Sequence, residues 1–380
     1  MRTRVLVLSS STGSGHDMRA KAFENWVKQL YGEAVTVRIE QIIENASLLG
    51  RFGVWFYNLI HKYCPFLHNI YFFIVELFIF SNSRTVSFGG KYYRSLLESY
   101  HPDLVLSVHD STNRGYFEDA RNVLGNSVRC VTYCGEFSGG YGYSRNWVNP
   151  RADHFIARTQ DAQQTAVKLG MPEERTSIFH KLLPPEAFEK RLSAGERISL
   201  RQQLGLEQDR FTVFLATGGY GANHHLRFLK ELLKQADRVQ VIAVCGRNRK
   251  ILDRVRNWAK SNPQLKMHIE GYSSRMSQFL QISDTVITRG GANTTMEALH
   301  FGCPVIYDSL GGLMPQERCT VRYFLEKEAA RMLRRPEDLG NILLEWMRSK
   351  DSYRKIRERL QGLHKEEDPR DLIRLILEDG

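Results

Sequence analysis

The sequence predicts an α/β protein built from two Rossmann-like parallel-sheet domains, and three observations carry that expectation. Short apolar runs ending in Gly, Ser or Asp alternate with amphipathic stretches of helical length, the pattern of strands feeding crossover helices. The alternation occurs twice along the chain. The 380 residues, 42% of them apolar, exceed what one comfortable core needs and suit two domains of ordinary size.

Taken in order, the first series of strands is expected at Val5 to Leu8, Val35 to Ile39, Leu104 to Val108, Arg129 to Tyr133 and His154 to Ala157. The second runs through Phe211 to Leu215, Val239 to Val244, Met267 to Ile269, Thr285 to Thr288 and Pro304 to Tyr307. Between them lies Lys181-Leu-Leu-Pro-Pro-Glu-Ala-Phe, whose adjacent prolines neither continue a helix nor donate to a sheet ladder. The boundary is therefore placed near Pro185, giving a first domain over 1–185 and a second over 186–380. From Pro336 to Leu377 the periodicity is helical with a break at Pro369, and the last segment is expected to cross back onto the first domain.

A formal net charge of +11 attracts polyanions: nucleic acid, anionic lipid surfaces or phosphorylated small molecules. Without zinc-knuckle spacing, a compact Lys/Arg tract or an RNA-recognition aromatic signature, nucleic acid is the weakest of these partners. Cys64, Cys130, Cys134, Cys245, Cys303 and Cys319 are scattered in apolar surroundings without paired CxxC spacing, so they read as reduced thiols. The opening RTRVLVLSS enters a strand pattern directly without a leader pattern, so a cytoplasmic protein is expected.

One segment departs from a plain sheet-and-helix pattern. Leu48 to Phe80 is dense in Phe, Tyr, Trp and Leu but interrupted by Arg51, His61, Lys62 and Glu76, so it holds no spanning stretch of about 18 apolar residues. Aromatics with cations between them suit a helix lying in a membrane interface, and the anionic inner face of the cell membrane is the expected partner. Core helices packed on the first sheet are the other reading.

The chemistry is concentrated in the turns. The first strand runs into Ser9-Ser-Ser-Thr-Gly-Ser-Gly-His16, where Gly13 and Gly15 allow a tight turn with amides aimed at a ligand. A neutral His16 imidazole there can take a proton from an attacking hydroxyl; a helix-starting histidine is the alternative. In the second domain, the turn holding Gly218, Gly219 and Gly221 offers amides to a diphosphate or is an ordinary strand-to-helix turn. Arg247 follows the next strand, at the sheet edge where nucleotides lie, or is a solvated arginine. The run Thr-Arg289-Gly290-Gly291-Ala292-Asn-Thr294-Thr295-Met-Glu297 again supplies a small-residue turn. Glu297, expected in the opening turn of the helix, has the carboxylate to accept two ribose hydroxyls or merely favours the helix dipole. Downstream, Gln316 and Glu317 combine an amide with a carboxylate, which suits adjacent sugar hydroxyls.

The ordered set SSSTGSGH, HPDLVLSVHD, LATGGYG, CGRNRK, EGYSSRM, TRGGANTTMEAL and PQE resembles the monogalactosyldiacylglycerol synthases and diacylglycerol glucosyltransferases. More distantly it resembles the peptidoglycan N-acetylglucosaminyltransferase that makes lipid II. The resemblance implies a GT-B fold with an interdomain cleft, an acceptor-side, membrane-associating first domain and a nucleotide-sugar second domain. It also implies transfer of a hexose from UDP-hexose, as co-substrate, to a diacylglycerol-like lipid with inversion, with no other cofactor and no obligatory metal; no DxD occurs in the sequence. By position, Gly218 and Gly219 match the diphosphate loop and Tyr272 the residue whose backbone meets uracil. Arg289, Gly291, Ala292 and Thr294 match the donor turn, Glu297 the ribose ligand, and Gln316 and Glu317 the sugar contacts. His16 matches the acceptor-side histidine, beside Gly13, Gly15 and His109. Its orienting carboxylate is not given by the resemblance; Asp110 and Glu136, each after a strand of the first domain, are the candidates, Asp110 preferred. A polyprenyl-linked or soluble glycan acceptor is the first rival reading, and a non-catalytic nucleotide-sugar-binding subunit the second.

Overall fold

The computed structural model describes residues 2–12, 15–63, 67–81, 86, 89–189, 191–216 and 223–378, and of 61–63, 75 and 78–81 the backbone alone. The chain divides into two compact units. The first comprises Met1–Pro185, Met314–Cys319 and Glu366–Gly380, and the second Glu186–Leu313 and Thr320–Lys365.

In the first unit six parallel strands lie in the order β2-β1-β3-β4-β5-β6, with β1 at Thr3–Ser9, β2 at Val35–Gln41, β3 at Leu104–Ser107, β4 at Arg129–Tyr133, β5 at His154–Ala157 and β6 at Thr176–Ile178. Its helices are α1 (Gly15–Tyr31), α2 (Ile42–Ala46), α3 (Leu48–Tyr63), α4 (His68–Ser81), α5 (Gly90–Tyr100), α6 (Tyr116–Leu124) and α7 (Gln160–Lys168). From Val5 onward β1 is wholly buried, as expected of a central parallel strand covered on both faces.

The second unit repeats the design in the order β12-β11-β10-β7-β8-β9. Its strands are β7 (Phe211–Leu215), β8 (Val239–Val244), β9 (Met267–Glu270), β10 (Thr285–Thr288), β11 (Val305–Asp308) and β12 (Ala330–Leu333). The helices along this half are α8 (Pro185–Glu189), α9 (Ala194–Gln203), α10 (His225–Leu233), α11 (Arg249–Lys260), α12 (Met276–Ile282), α13 (Ala292–Phe301), α14 (Pro315–Glu326), α15 (Glu337–Arg348) and α16 (Lys350–Gly362). A final helix, α17 (Pro369–Leu377), belongs to the first unit. It is capped by Asp368 with Pro369 in its first turn, buries Leu372, Ile373 and Ile376, and its last carbonyls accept from the Arg129 guanidinium at 2.9 and 3.0 Å.

All ten expected strands are present, and two more, β6 and β12, close one edge of each sheet. These edge strands have a single neighbour and only three and four residues, so no long apolar run marks them. The aromatic segment forms α3 and α4 with an inverted pattern. On α3 the exposed large apolar side chains are Leu48, Leu49, Phe52, Trp55, Phe56 and Leu59, a helical stripe, while Val54, Tyr57 and Ile60 are buried. On α4 the exposed stripe is Ile70, Phe73, Ile74 and Leu77, opposite the buried His68 and Glu76. No helix among the described residues is long and apolar enough to cross a membrane.

Candidate functional site

Ligands of open parallel sheets lie beyond the carboxyl ends of the strands where the chain reverses its direction of winding. In the first unit that point is between β1 and β3, and in the second between β7 and β10. The turns after these strands hold most of the sequence-selected residues.

In the first unit, α1 opens at Gly15 and presents His16 in its first turn; Gly13 lies outside the described residues. His16 Nδ1 is 2.8 Å from the Val108 carbonyl and 2.6 Å from an Arg19 guanidinium nitrogen. The two neighbours demand opposite tautomers. The carbonyl accepts a proton from Nδ1 and leaves Nε2 as a free base, whereas Arg19 donates to Nδ1 and fixes the proton on Nε2. The His109 ring centroid is 4.1 Å away, and Trp147 stacks at 6.3 Å. His109 is held by Thr12 Oγ1 at 2.7 Å from Nε2 and by Asp110 Oδ1 at 2.9 Å from Nδ1.

These neighbours separate the proton affinities. Burial, then His109 and Arg19, push the His16 imidazole well below its ordinary 6.5, against weaker pulls from Val108 and Asp110. Burial alone would raise the Asp110 carboxyl, but His109, His16 and Ser111 outweigh it and hold it well below the usual carboxylate range. Burial pushes Glu136 up to about 7, against the pull of Arg19 and Arg158 and with a further push from Asp110. Near neutral pH His16 is thus unprotonated, Asp110 ionised and Glu136 divided between its forms. Of the two candidate partners, Asp110 contacts His109 directly and reaches His16 through space.

Arg19 is 4% exposed, and burial with the nearby Arg158 brings its pKa down to about 10. Gly135 is what admits it: a Cβ there would lie 1.7 Å from an Arg19 nitrogen. Buried Tyr57 of α3 also belongs here, since burial and the charges of Glu317, Asp110 and Glu136 push its hydroxyl far up. Arg19, Trp147 and Tyr57 carried no motif signal, because each sits in an ordinary helix or loop pattern and becomes part of the site only through the fold.

Gln316 and Glu317, selected with the donor turn, fall in the first unit with the segment Met314–Cys319. Gly142, at φ +99°, allows the approach: a Cβ there would lie 1.8 Å from the Pro315 carbonyl oxygen. Ser138 Oγ donates to the Cys319 carbonyl at 2.9 Å, and Glu317 accepts from the Met314 amide at 2.9 Å. Gln316 Oε1 is buried without a hydrogen-bond partner, an arrangement that costs free energy until a donor such as a sugar hydroxyl arrives.

In the second unit, Gly218 and Gly219 lie outside the described residues. Beyond β8 and β9 the Arg247 guanidinium sits 4.8 Å from the Tyr272 ring centroid, and Tyr272 is 65% exposed. Arg289 donates to the Gly312 carbonyl at 3.0 Å, fastening the turn after β10 to the loop after β11. Gly291 is the exposed N-cap of α13 and supplies no side-chain cap, so the first turn of this helix, from Ala292 through Thr294, lies at the edge of the sheet where its dipole favours an anion. Glu297 is in the second turn of α13, not the opening one, because the helix begins at Ala292. The helix dipole is therefore not its reason for being there. It is 8% exposed with no hydrogen-bond partner among the described residues, and burial alone pushes it up to about 7. The loop after β11 is also braced by Asp308, 3% exposed, whose carboxylate lies 2.7 Å from His224 Nδ1.

Cys130, Cys134, Cys245, Cys303 and Cys319 are buried and free, while Cys64 lies outside the described residues. Among the described residues no group of three His, Cys, Asp or Glu side chains is arranged to hold a metal ion.

Residues 212–337 match the model of the glycosyltransferase family 28 C-terminal domain. The match runs from β7 to the first residue of α15 and leaves the rest of the chain outside it. Around it, the chain is 26% identical over 365 residues to a probable chloroplastic monogalactosyldiacylglycerol synthase of Glycine max, covering 90% of this chain and 65% of the relative. It is 21% identical over 364 residues to the processive diacylglycerol beta-glucosyltransferase of Bacillus subtilis, covering 95% of this chain and 91% of the relative. The crystal structure of Anabaena Alr3699/HepE in complex with UDP-glucose superposes with a TM-score of 0.58 at 14% identity, covering 99% of this chain and 98% of that one. The two parallel sheets therefore have the α/β fold of the GT-B glycosyltransferases.

Proposed function

We propose that this chain is a UDP-sugar glycosyltransferase that moves a hexose from UDP-hexose to the hydroxyl of a diacylglycerol-like lipid, with inversion, to form a β-glycolipid. The observation that carries the reading is that the likeness to two diacylglycerol glycosyltransferases runs through both units, over 90% and 95% of the chain, and not through the second alone. In the second unit the N-terminal turn of α13 meets the diphosphate of the donor, and the buried Glu297 accepts hydrogen bonds from the ribose hydroxyls. In the first unit, in the tautomer whose Nδ1–H donates to the Val108 carbonyl, the acceptor hydroxyl gives its proton to His16 Nε2 as its oxygen bonds the anomeric carbon. The bond from that carbon to the UDP oxygen breaks, and UDP leaves with both electrons. Gln316 and Glu317 serve the sugar hydroxyls.

Incubation with labelled UDP-glucose and UDP-galactose and diacylglycerol in vesicles, followed by identification of the lipid and its anomeric linkage, tests the reading. Transfer only to polyprenyl-linked or soluble glycans, or UDP binding without any transfer, would sink it. Because amides and not paired carboxylates meet the diphosphate, turnover should remain largely intact in EDTA. Complete loss restored by added divalent metal would overturn this mechanism.

The outward stripes of α3 and α4 seat the enzyme on the cytoplasmic face of an anionic membrane, with exposed Arg51 beside Phe52 at the headgroups. Phe73, 68% exposed, is on that stripe, while the neighbouring Phe72 is half-buried. Joint replacement of Trp55, Phe56 and Phe73 by Ser should lower flotation with anionic vesicles by at least about 10-fold and leave the thermal transition in place. Equal flotation of variant and wild type would remove these rings from the interface.

A further inference from the structure

The two helices that carry the outward apolar stripes also hold, from their other faces, the two loops that surround His16. From α3, Asn58 Nδ2 donates to the Ser11 carbonyl at 3.0 Å. Ser11 Oγ in turn donates to Asp17 of the first turn of α1 at 2.7 Å, and the next residue, Thr12, contacts His109. From α4, Glu76 Oε1 accepts the Arg145 amide at 2.6 Å and the Arg145 guanidinium at 3.3 Å. Two residues on is Trp147, 1% exposed, stacked near His16 with Arg19 5.8 Å from its ring centroid. The helices are joined to each other by Tyr71, whose ring lies 5.7 Å from Tyr57 and 6.4 Å from Phe56. Whatever fixes the outer faces of this pair therefore fixes both loops.

We propose that Asn58 and Glu76 are positioning residues through which the α3–α4 pair, seated by its apolar stripes on a lipid surface, holds the Ser11 and Arg145–Trp147 loops around His16. The lipid surface is the chosen occupant because the stripes are continuous at helical spacing, exposed Arg51 borders them and the chain carries +11. The proposal rests on the glycolipid reading for its reaction but not for its structural readout. Neither residue touches the reacting atoms, so the expected signature is a fall in kcat with little change in KM for the nucleotide sugar.

The test uses the full chain with vesicles of mixed neutral and anionic phospholipid, acceptor-free for flotation and amide exchange and with added diacylglycerol for turnover. Vesicles should slow amide exchange at Ser10–Thr12 and Arg145–Val148 in the wild type. Asn58→Ala and Glu76→Ala should float with vesicles as the wild type does, lose that added protection and lower kcat by roughly 10- to 100-fold. Glu76→Gln, which keeps an oxygen to accept the Arg145 amide, should restore protection and most of the turnover. Vesicle binding that leaves exchange at both loops unchanged, or alanine variants that keep protection and turnover, would overturn the proposal. If the acceptor is not a diacylglycerol, transfer to it fails while vesicle-induced protection persists, so the two failures are told apart. A variant that does not fold is recognised by its thermal transition, and Glu76→Gln then carries the test: loss of protection and turnover in that folded variant counts against the assignment.

Discussion

His16→Ala should lower turnover by roughly 10²- to 10⁴-fold while leaving UDP affinity nearly unchanged, the range expected for removing a general base that acts on the acceptor side. The pH profile identifies the base. His16 is pushed well below its ordinary 6.5, so a base at this position keeps working as pH falls through 6.5, and the acid limb of the rate lies below that value. Glu136 sits at about 7, so if it were the base the limb would be centred there. Glu136→Gln removes that alternative directly. An acid limb near 7 that disappears in Glu136→Gln, together with normal turnover in His16→Ala, would transfer the role to the carboxylate. With His16 as base, the neutral-pH rate should be insensitive to small changes in pH, because its neutral form already dominates.

Glu297→Gln should act in opposite directions on stability and on binding. Burial raises this carboxyl from 4.5 in the unfolded chain to about 7 in the folded one, so folding takes up a proton between those values. The unfolded state then binds fewer protons than the native state, and stability falls as pH rises from roughly 4.5 through 7. By pH 8 the full penalty for burying the charge is present, on the order of 3 kcal/mol for a shift of this size. The amide carries no such penalty, so the ligand-free variant should melt higher than the wild type at pH 8 and about equally at pH 5. UDP binding should nevertheless weaken by about 1.5–3 kcal/mol, the scale of losing charge-assisted hydrogen bonds. Calorimetry with UDP and melting curves at both pH values separate the outcomes. A variant that melts higher and binds UDP as the wild type does would leave Glu297 without a ligand role.

How far the sequence alone reached depends on what kind of physics each feature uses. Strand β1 was legible because VLVL is buried on both faces, and the glycine-bounded turns were legible because backbone that bends after a strand needs small residues. The edge strand β6 was not, since Thr176–Ile178 are all only half-buried. The aromatic segment announced itself by composition. Which rings point outward required the helix phase, which separates Phe73 from Phe72 by one residue. Arg19 looked like any helical arginine, and the clue was the glycine at 135 that makes room for it. Glu297 was visible as a carboxylate near the turn, but its isolation, which raises its pKa, is a property of the packed helix.

The passage of the chain between units bears on how such proteins can be recombined. The proline-rich seam at Pro185 looks like a natural cut, yet residues 314–319 and the closing helix come from beyond it and complete the first unit. A hybrid spliced at that seam would inherit Gln316 and α17 from a foreign parent. Leu372, Ile373 and Ile376 would then have to fit a surface that did not evolve with them. A transplant that keeps the first unit whole has to carry residues 314–319 and α17 along with 1–185.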